Sequence, residues 1–359
     1  MKNTTMTRFH TRLRASAAAP ALGLAALALL ALAPSTALAQ TQDLFASNAG
    51  FGSILRYTGT GPGTFTPTGT ALAGSTLNFP EGLAFDTRGD LFAAGFNAGT
   101  ITEFAAGATP GSLGTGQTVA TGLSGPLGLA FDPRGNLFVA NNTAGTITEF
   151  TSNGLGTLGT GTTFASGLNN PYGLAVDTRG DLLVANFGTN SISEFAFNAV
   201  TGTFGAAQTV ATGLTGPTGL AVSTRGDLFV SNNTANTITE FAAGATPGTF
   251  SATGTTFATG LSKPDGLAFD ALGNLYVANF DRFITKFAFT PGMNGSAGTF
   301  AAGQDVATGV SAPTFLAFSP LPSSPVPEAS TTVSLGLLLA LGLGGLVVTG
   351  RRKKNKVSS

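Results

Sequence analysis

The chain has no cysteine and no tryptophan, and only one histidine and three tyrosines in 359 residues. Without cysteine there is no disulfide framework, no thiol nucleophile and no thiolate metal site. The single histidine, His10, falls in a basic leader that reads as removed on export, so the mature protein has no Ser-His-Asp triad, histidine base or histidine ligand. Charge is also scarce, at 9% of residues against roughly 25% in an ordinary soluble domain. The net charge of +0 hides an asymmetry, because Lys2, Arg8, Arg12, Arg14, Arg351, Arg352, Lys353, Lys354 and Lys356 all lie at the ends. Between Gln40 and Pro325 that leaves eight basic against 16 acidic residues, a balance of −8. A nucleic-acid partner needs a basic surface to displace counterions from phosphates, so DNA and RNA are excluded. Helical periodicity is missing from the same region, while 51 glycines and 42% apolar residues suit short strands and tight turns around a packed core.

The ends read as addresses. Residues 1–14 are polar and basic, Ala15 to Ala33 are apolar, and Ala37-Leu38-Ala39 offers a small-residue cleavage site, which makes 1–39 a secretory signal peptide. Residues 319–330 form a Pro/Ser-rich linker, since prolines without backbone donors cannot extend a sheet. Residues 331–350 are uncharged and rich in Leu, Gly and Val, long enough as a transmembrane helix to cross a hydrocarbon core of about 30 Å. The basic tail, 351–359, is expected to stay cytoplasmic. The linker ends in Val326-Pro327-Glu328-Ala329-Ser330, and the order of this motif, one span and a basic end resembles the PEP-CTERM sorting signal of Gram-negative bacteria. Ala329 stands where that family usually has a second proline. The resemblance implies secretion machinery and an exosortase-like protease as partners, and a destination in the cell envelope, on the surface or in the extracellular matrix.

Residues 40–318 are a repeat. One unit begins at Pro80, Pro126, Pro171, Pro217, Pro264 and Pro313, and its period of 45 to 49 residues with strand-like content is that of propeller blades. Each unit reads as four strands rich in β-branched and aromatic residues, separated by Gly, Asn and Asp. Leu44 to Tyr57 aligns without a gap on Leu228 to Phe241 but lacks a leading strand, while Pro313 to Phe318 is a leading strand without a blade. Joined, the two ends complete one blade. The expected fold is therefore all-β, a six-bladed propeller of four-stranded blades closed by its own termini.

Two further series repeat with the blades. Asn48, Asn141, Asn186, Asn232 and Asn279 follow the second strand, with Gly95 in the sixth place, and are expected to cap a turn. Asp-x-Arg-Gly-Asp/Asn recurs at Asp86 to Asp90, Asp132 to Asn136 and Asp177 to Asp181, with variants at Ser223 to Asp227 and Asp270 to Asn274. Its Arg-Gly-Asp triplets suggest adhesion, but a tight turn whose aspartates accept free amides accounts for the pattern. Glu103, Glu149, Glu194 and Glu240 read as a solvated strand face, with Phe104, Phe150, Phe195 and Phe241 packed between blades.

The Pro-x-Gly-Leu-Ala-Phe-Asp, Gly-Asn-Leu-Phe-Val-Ala-Asn and Ile-Thr-Glu-Phe segments resemble NHL repeats and the wider gluconolactonase-like propellers. In those families the residue after the leading proline supplies axial metal ligands, and here the six positions hold Glu81, Leu127, Tyr172, Thr218, Asp265 and Thr314. The resemblance implies calcium or another divalent cation on Glu81 and Asp265, two blades apart around the ring, with Thr218 where an asparagine is expected. Two carboxylates and a hydroxyl are few ligands for a cation that takes six to eight oxygens. The reading favoured here is that the two carboxylates are solvated groups at a channel mouth and that the protein holds no cofactor. The missing histidine also counts against a lyase of the streptogramin type, whose chemistry relies on it. On sequence alone the favoured function is an exported, non-catalytic binding or scaffold protein for a polysaccharide, a small ligand or an envelope protein. The alternative is a metal-dependent lactonase-like hydrolase with its site at the propeller axis.

Overall fold

The computed structural model describes residues 41–321 apart from 73–76, 110, 155–156, 247, 282, 293–297 and 309. The segments expected to be a signal peptide (1–39), a sorting motif (326–330), a transmembrane span (331–350) and a basic tail (351–359) lie outside the described residues. Among the described residues no helix is long and apolar enough to cross a membrane.

Six four-stranded antiparallel sheets form the described body. Their innermost strands are Pro313–Phe318, Pro80–Phe85, Pro126–Phe131, Pro171–Val176, Pro217–Val222 and Pro264–Phe269, which define blades 1 to 6 in that order. Each innermost strand packs against the next and that of blade 6 returns to that of blade 1, so the ring closes. In blade 1 the C-terminal Pro313–Phe318 pairs with Leu44–Asn48, followed outward by Ser53–Tyr57 and Thr70–Ala71. The termini thus complete one blade, as the alignment of the two incomplete ends predicts.

The closure reproduces a turn whose connection is cut. In blade 5 the Ser223 amide donates to the Asp227 carbonyl at 2.8 Å, and the Asp227 amide donates to Ser223 Oγ at 3.1 Å. In blade 1 the Ser319 amide donates to the Asp43 carbonyl at 3.0 Å, and the Asp43 amide donates to Ser319 Oγ at 2.9 Å. Residues 276 apart in sequence therefore make the contacts that residues four apart make elsewhere.

The core is a set of inter-blade layers. Between blades 6 and 1, for example, Leu44, Leu55, Tyr57, Tyr276, Ile284 and Leu316 pack together, all buried. Phe104, Phe150, Phe195 and Phe241 are also buried, and edge-to-face pairs such as Phe92 with Phe131, centroids 5.0 Å apart, join neighbouring blades.

The Asp-x-Arg-Gly motifs are turns. Asp86 Oδ1 accepts the amides of Arg88 and Asp90, both at 2.9 Å, and Asp132 and Asp177 repeat the arrangement. The glycines adopt φ near +85°, with Gly89 at 88°, Gly135 at 85° and Gly180 at 88°, a region open to glycine. The fifth residue ties the turn outward, since Asp90 Oδ1 accepts the Ala106 amide at 2.7 Å and Asn136 Oδ1 the Ser152 amide at 2.9 Å. Structure therefore accounts for the Arg-Gly-Asp triplets.

At the opposite end, every residue before a leading proline is left-handed: Phe79, Gly125, Asn170, Gly216, Lys263 and Ala312, with φ from 47° to 64°. Proline disfavours a helical predecessor, and the left-handed form turns its carbonyl to accept the first amide after the second strand, as Phe79 does from Phe96 at 3.0 Å. That geometry sets where each innermost strand, and its second residue, begins. The asparagine series is buried and structural, but it does more than cap a turn. Asn232 Nδ2 donates to Thr239 Oγ1 at 2.8 Å while its Oδ1 accepts the Thr215 amide at 3.0 Å, which joins the third strand to the incoming loop.

Candidate functional site

The second residues of the innermost strands surround the axis. Glu81 in blade 2 and Asp265 in blade 6 flank blade 1, so they stand two blades apart, as their chain order requires. They are not solvated groups at a channel mouth: Glu81 is 3% and Asp265 2% exposed. The glycine that follows the second residue in blades 2 to 6 lets the innermost strands approach one another closely. A Cβ on Gly219 would overlap the Asp265 carbonyl oxygen, and one on Gly82 the Leu127 carbonyl oxygen.

The pair is under-satisfied. Glu81 Oε2 and Asp265 Oδ1 are buried without a hydrogen-bond partner. Asp265 Oδ2 accepts the Tyr172 phenol at 3.1 Å. The Thr218 hydroxyl, 3.2 Å from the Pro264 carbonyl, also lies against the Asp265 carboxylate, and Thr314 stands likewise between the Pro80 carbonyl at 3.4 Å and Glu81. Burial pushes the Glu81 carboxyl well up, and the Asp265 charge adds to it against the Thr314 hydrogen bond. Burial raises Asp265 too, opposed by the hydrogen bonds of Tyr172 and Thr218. The Tyr172 phenol is pushed up by burial and then by both carboxylates, so it stays a donor.

These donors suit a hard divalent cation. Glu81, Asp265, Thr218 and Thr314 offer oxygen only, and the two unpartnered carboxylate oxygens are the kind of atom that a cation satisfies. Leu127, 4% exposed, makes the wall at blade 3 apolar.

A second acidic cluster is of another kind. One oxygen each of Asp177, Asp181 and Glu194 lie within 4.8 Å of one another. Arg179 already supplies the cation there, paired with Asp181 and 3.6 Å and 3.5 Å from Asp177 and Glu194. The cluster is the blade 4 copy of the repeated turn. A cavity of about 500 Å³ opens where the innermost strands end, lined by Phe85, Phe131, Val176, Phe269 and Phe318. Asp86, Asp132 and Asp177 on its rim are committed to their turns.

Tyr172 holds an axial position to which the repeat alone assigns no role, and its partner there is Phe315 of the closing strand. Phe315 replaces the glycine that follows the second residue in the other five blades, and its blade stands opposite that of Tyr172 in the ring of six. The rings stack across the axis with centroids 6.0 Å apart and planes 15° apart. The signal was present in the chain as the two bulky departures from the repeat.

No family model matches the chain, and no curated relative does. Among solved structures it is similar to a streptogramin B lyase, at 13% identity over 78% of this chain and 88% of that one with a TM-score of 0.51. A gluconolactonase from Xanthomonas campestris matches at 20% identity over 68% and 87% with a TM-score of 0.51. A Bacteroides caccae protein matches at 15% identity over 78% and 99% with a TM-score of 0.53. The chain thus has the six-bladed propeller fold of gluconolactonase-like and virginiamycin B lyase-like proteins, and at these identities the likeness is one of fold.

Proposed function

We propose that the propeller is a divalent-cation-dependent hydrolase of lactones or similarly activated esters, with its site at the axis. The observation that carries this reading is the buried pair Glu81 and Asp265, each with an unpartnered oxygen. A fold that also serves a gluconolactonase supports it. A cation bound there supplies Lewis-acid polarisation of a carbonyl and a more acidic bound water. Glu81 and Asp265 would hold it, and the hydroxyls of Thr218 and Thr314, which donate to backbone carbonyls, would offer lone pairs beside them. The Tyr172 phenol donates to Asp265 beside the same space, and Leu127 and Phe315 add buried apolar surface to it. Gluconolactone hydrolysis followed at constant pH tests this. The expected result is a rate above the spontaneous one that depends on calcium, manganese or zinc and is lost in Asp265→Asn with the fold intact. Hydrolysis at the spontaneous rate under every cation overturns it.

A second reading has its own observation. The stack of Tyr172 on Phe315 spans the axis, and an aromatic platform there suits a non-catalytic surface or matrix protein that binds a polysaccharide, a small ligand or an envelope protein. Binding without turnover in the same assay selects it.

Under either reading we infer export across the inner membrane to the envelope of a Gram-negative bacterium. Support comes from the signal peptide, the Val326-Pro327-Glu328-Ala329-Ser330 motif, the apolar stretch and the basic tail. An exosortase-like protease can reach the Pro/Ser linker without disturbing a blade. The intact mass of surface protein is expected to run from Gln40 to a residue between Val326 and Ser330. A detergent-extracted species ending at Ser359 makes the C-terminal stretch a permanent anchor instead.

A further inference from the structure

We propose that Tyr172 is a gate on the axial carboxylate site, occupying Asp265 in competition with the cation and swinging away when the cation binds. The inference rests on the axial cation site proposed above and adds to it a residue outside the ligand set.

Three contacts of one side chain carry it. The phenol donates to Asp265 Oδ2 at 3.1 Å and so engages one of the two oxygens that Asp265 can offer. The ring lies over Phe315 across the axis, with planes 15° apart, so the side chain bridges blade 4 to both blade 1 and blade 6. On its other side the ring meets Phe187, centroids 6.2 Å apart, in the turn after the second strand of its own blade. Phe187 is 37% exposed and Phe315 9%, so Tyr172 stands on an aromatic file that runs from the surface to the axis.

Nothing in the fold requires a tyrosine here. The equivalent positions hold Glu81, Leu127, Thr218, Asp265 and Thr314, and blades 3 and 5 close around Leu127 and Thr218 with the same strand register as blade 4. What the tyrosine adds is a donor to one member of an under-satisfied acidic pair. A divalent cation and a phenol proton both satisfy a carboxylate oxygen, and both cannot hold the same lone pair. A change of side-chain rotamer takes the phenol off Asp265 without a change of backbone. The gate thus keeps Asp265 Oδ2 partnered when no cation is bound and sets a threshold for a cation that takes both carboxylate oxygens.

The protein is suited to the test because it has no tryptophan and three tyrosines. Tyr57 and Tyr276 are fully buried between blades 6 and 1, away from the axis. Calcium is titrated into the purified protein while near-ultraviolet tyrosine difference absorption and binding heat are recorded. The wild type is expected to show a tyrosine difference spectrum that saturates with binding. Tyr172→Phe is expected to bind calcium about tenfold more tightly, the scale of one hydrogen bond to a charged group, with no difference spectrum. Phe315→Leu, which removes the stacking partner and leaves every oxygen in place, is expected to tighten binding by a smaller factor. It also keeps the test valid if Tyr172→Phe does not fold. Wild-type binding without a tyrosine signal, or equal or weaker binding by the variants, overturns the gate and leaves the axial site standing. Absence of calcium binding in the wild type and both variants overturns gate and site together.

Discussion

Asp132 and Asp265 are buried to a similar degree, at 4% and 2% exposed, yet they live under different conditions. Asp132 lies in the turn that follows an innermost strand and accepts four hydrogen bonds: the Arg134 and Asn136 amides, both at 2.9 Å, Arg134 Nε at 2.8 Å and Asn136 Nδ2 at 3.0 Å. Asp265 lies near the start of an innermost strand, is met by two hydroxyls, and keeps Oδ1 unpartnered beside a second carboxylate. The turn end uses charge to build the fold and supplies an arginine in four of its five motif copies. The axis holds charge that the fold does not need. Acidic residues at the turn end therefore say little about chemistry, however many cluster there, while two at the axis say a good deal.

Replacing each aspartate breaks the comparison if it is wrong. Asp132→Ala strands the two buried donors of Asn136 and releases the part-buried Arg134, so a loss of about 3 kcal/mol and a fall of about 6 °C in melting temperature are expected. Denaturant unfolding and calorimetry measure it, and a change under about 1 kcal/mol would mean that the turn is not held by its carboxylate. Asp265→Asn has the opposite sign. In chelator the neutral amide removes an unpaired buried charge, and a gain of about 1 kcal/mol is expected at neutral pH. The folded-state pKa of Asp265 is raised, so its stabilising contribution is full below the unfolded value of about 4 and declines as pH rises through the raised value. The advantage of the asparagine should accordingly be small at pH 4 and grow toward pH 8. A destabilised Asp265→Asn in chelator would place Asp265 among the structural aspartates.

Much of this was legible in the chain. The period of the leading prolines fixes the innermost strands, and the gap-free match of Leu44 to Tyr57 on Leu228 to Phe241 fixes how the ring closes. The part played by Ser319 and Asp43 was not legible, because the connecting residues that mark the turn elsewhere are missing where the first and last strands of the repeat meet. The axial pair could be found from its position after the proline. Its burial could not, since that depends on how closely glycines such as Gly82 and Gly219 let the strands approach. The asparagine spacing was visible, whereas the partners of Asn232 on the third strand and the incoming loop are long-range facts. The stack of Tyr172 on Phe315 needed two departures in different blades to be set opposite each other, which follows only once the ring order is known.

The smallest effect tests whether the glutamates at the turn end belong with the structural charges or are only tolerated. Glu240 is raised by burial first and then by the Asp227 charge, with Arg225 acting against both. Arg225 is bound to Asp227 at 2.9 Å and so is only partly available to a second carboxylate. A raised carboxylate stabilises most below about pH 4 and loses that contribution as pH rises through its folded value. Glu240→Gln keeps the shape and removes the titration, so it should match the wild type at pH 4 and melt about 1 °C higher at pH 8, where solvent screening keeps the gain small. Added salt should shrink that gain by screening the repulsion from Asp227. If the variant melts lower at pH 8, Arg225 is holding two carboxylates at once, and the outer glutamates join the aspartates as part of the turn.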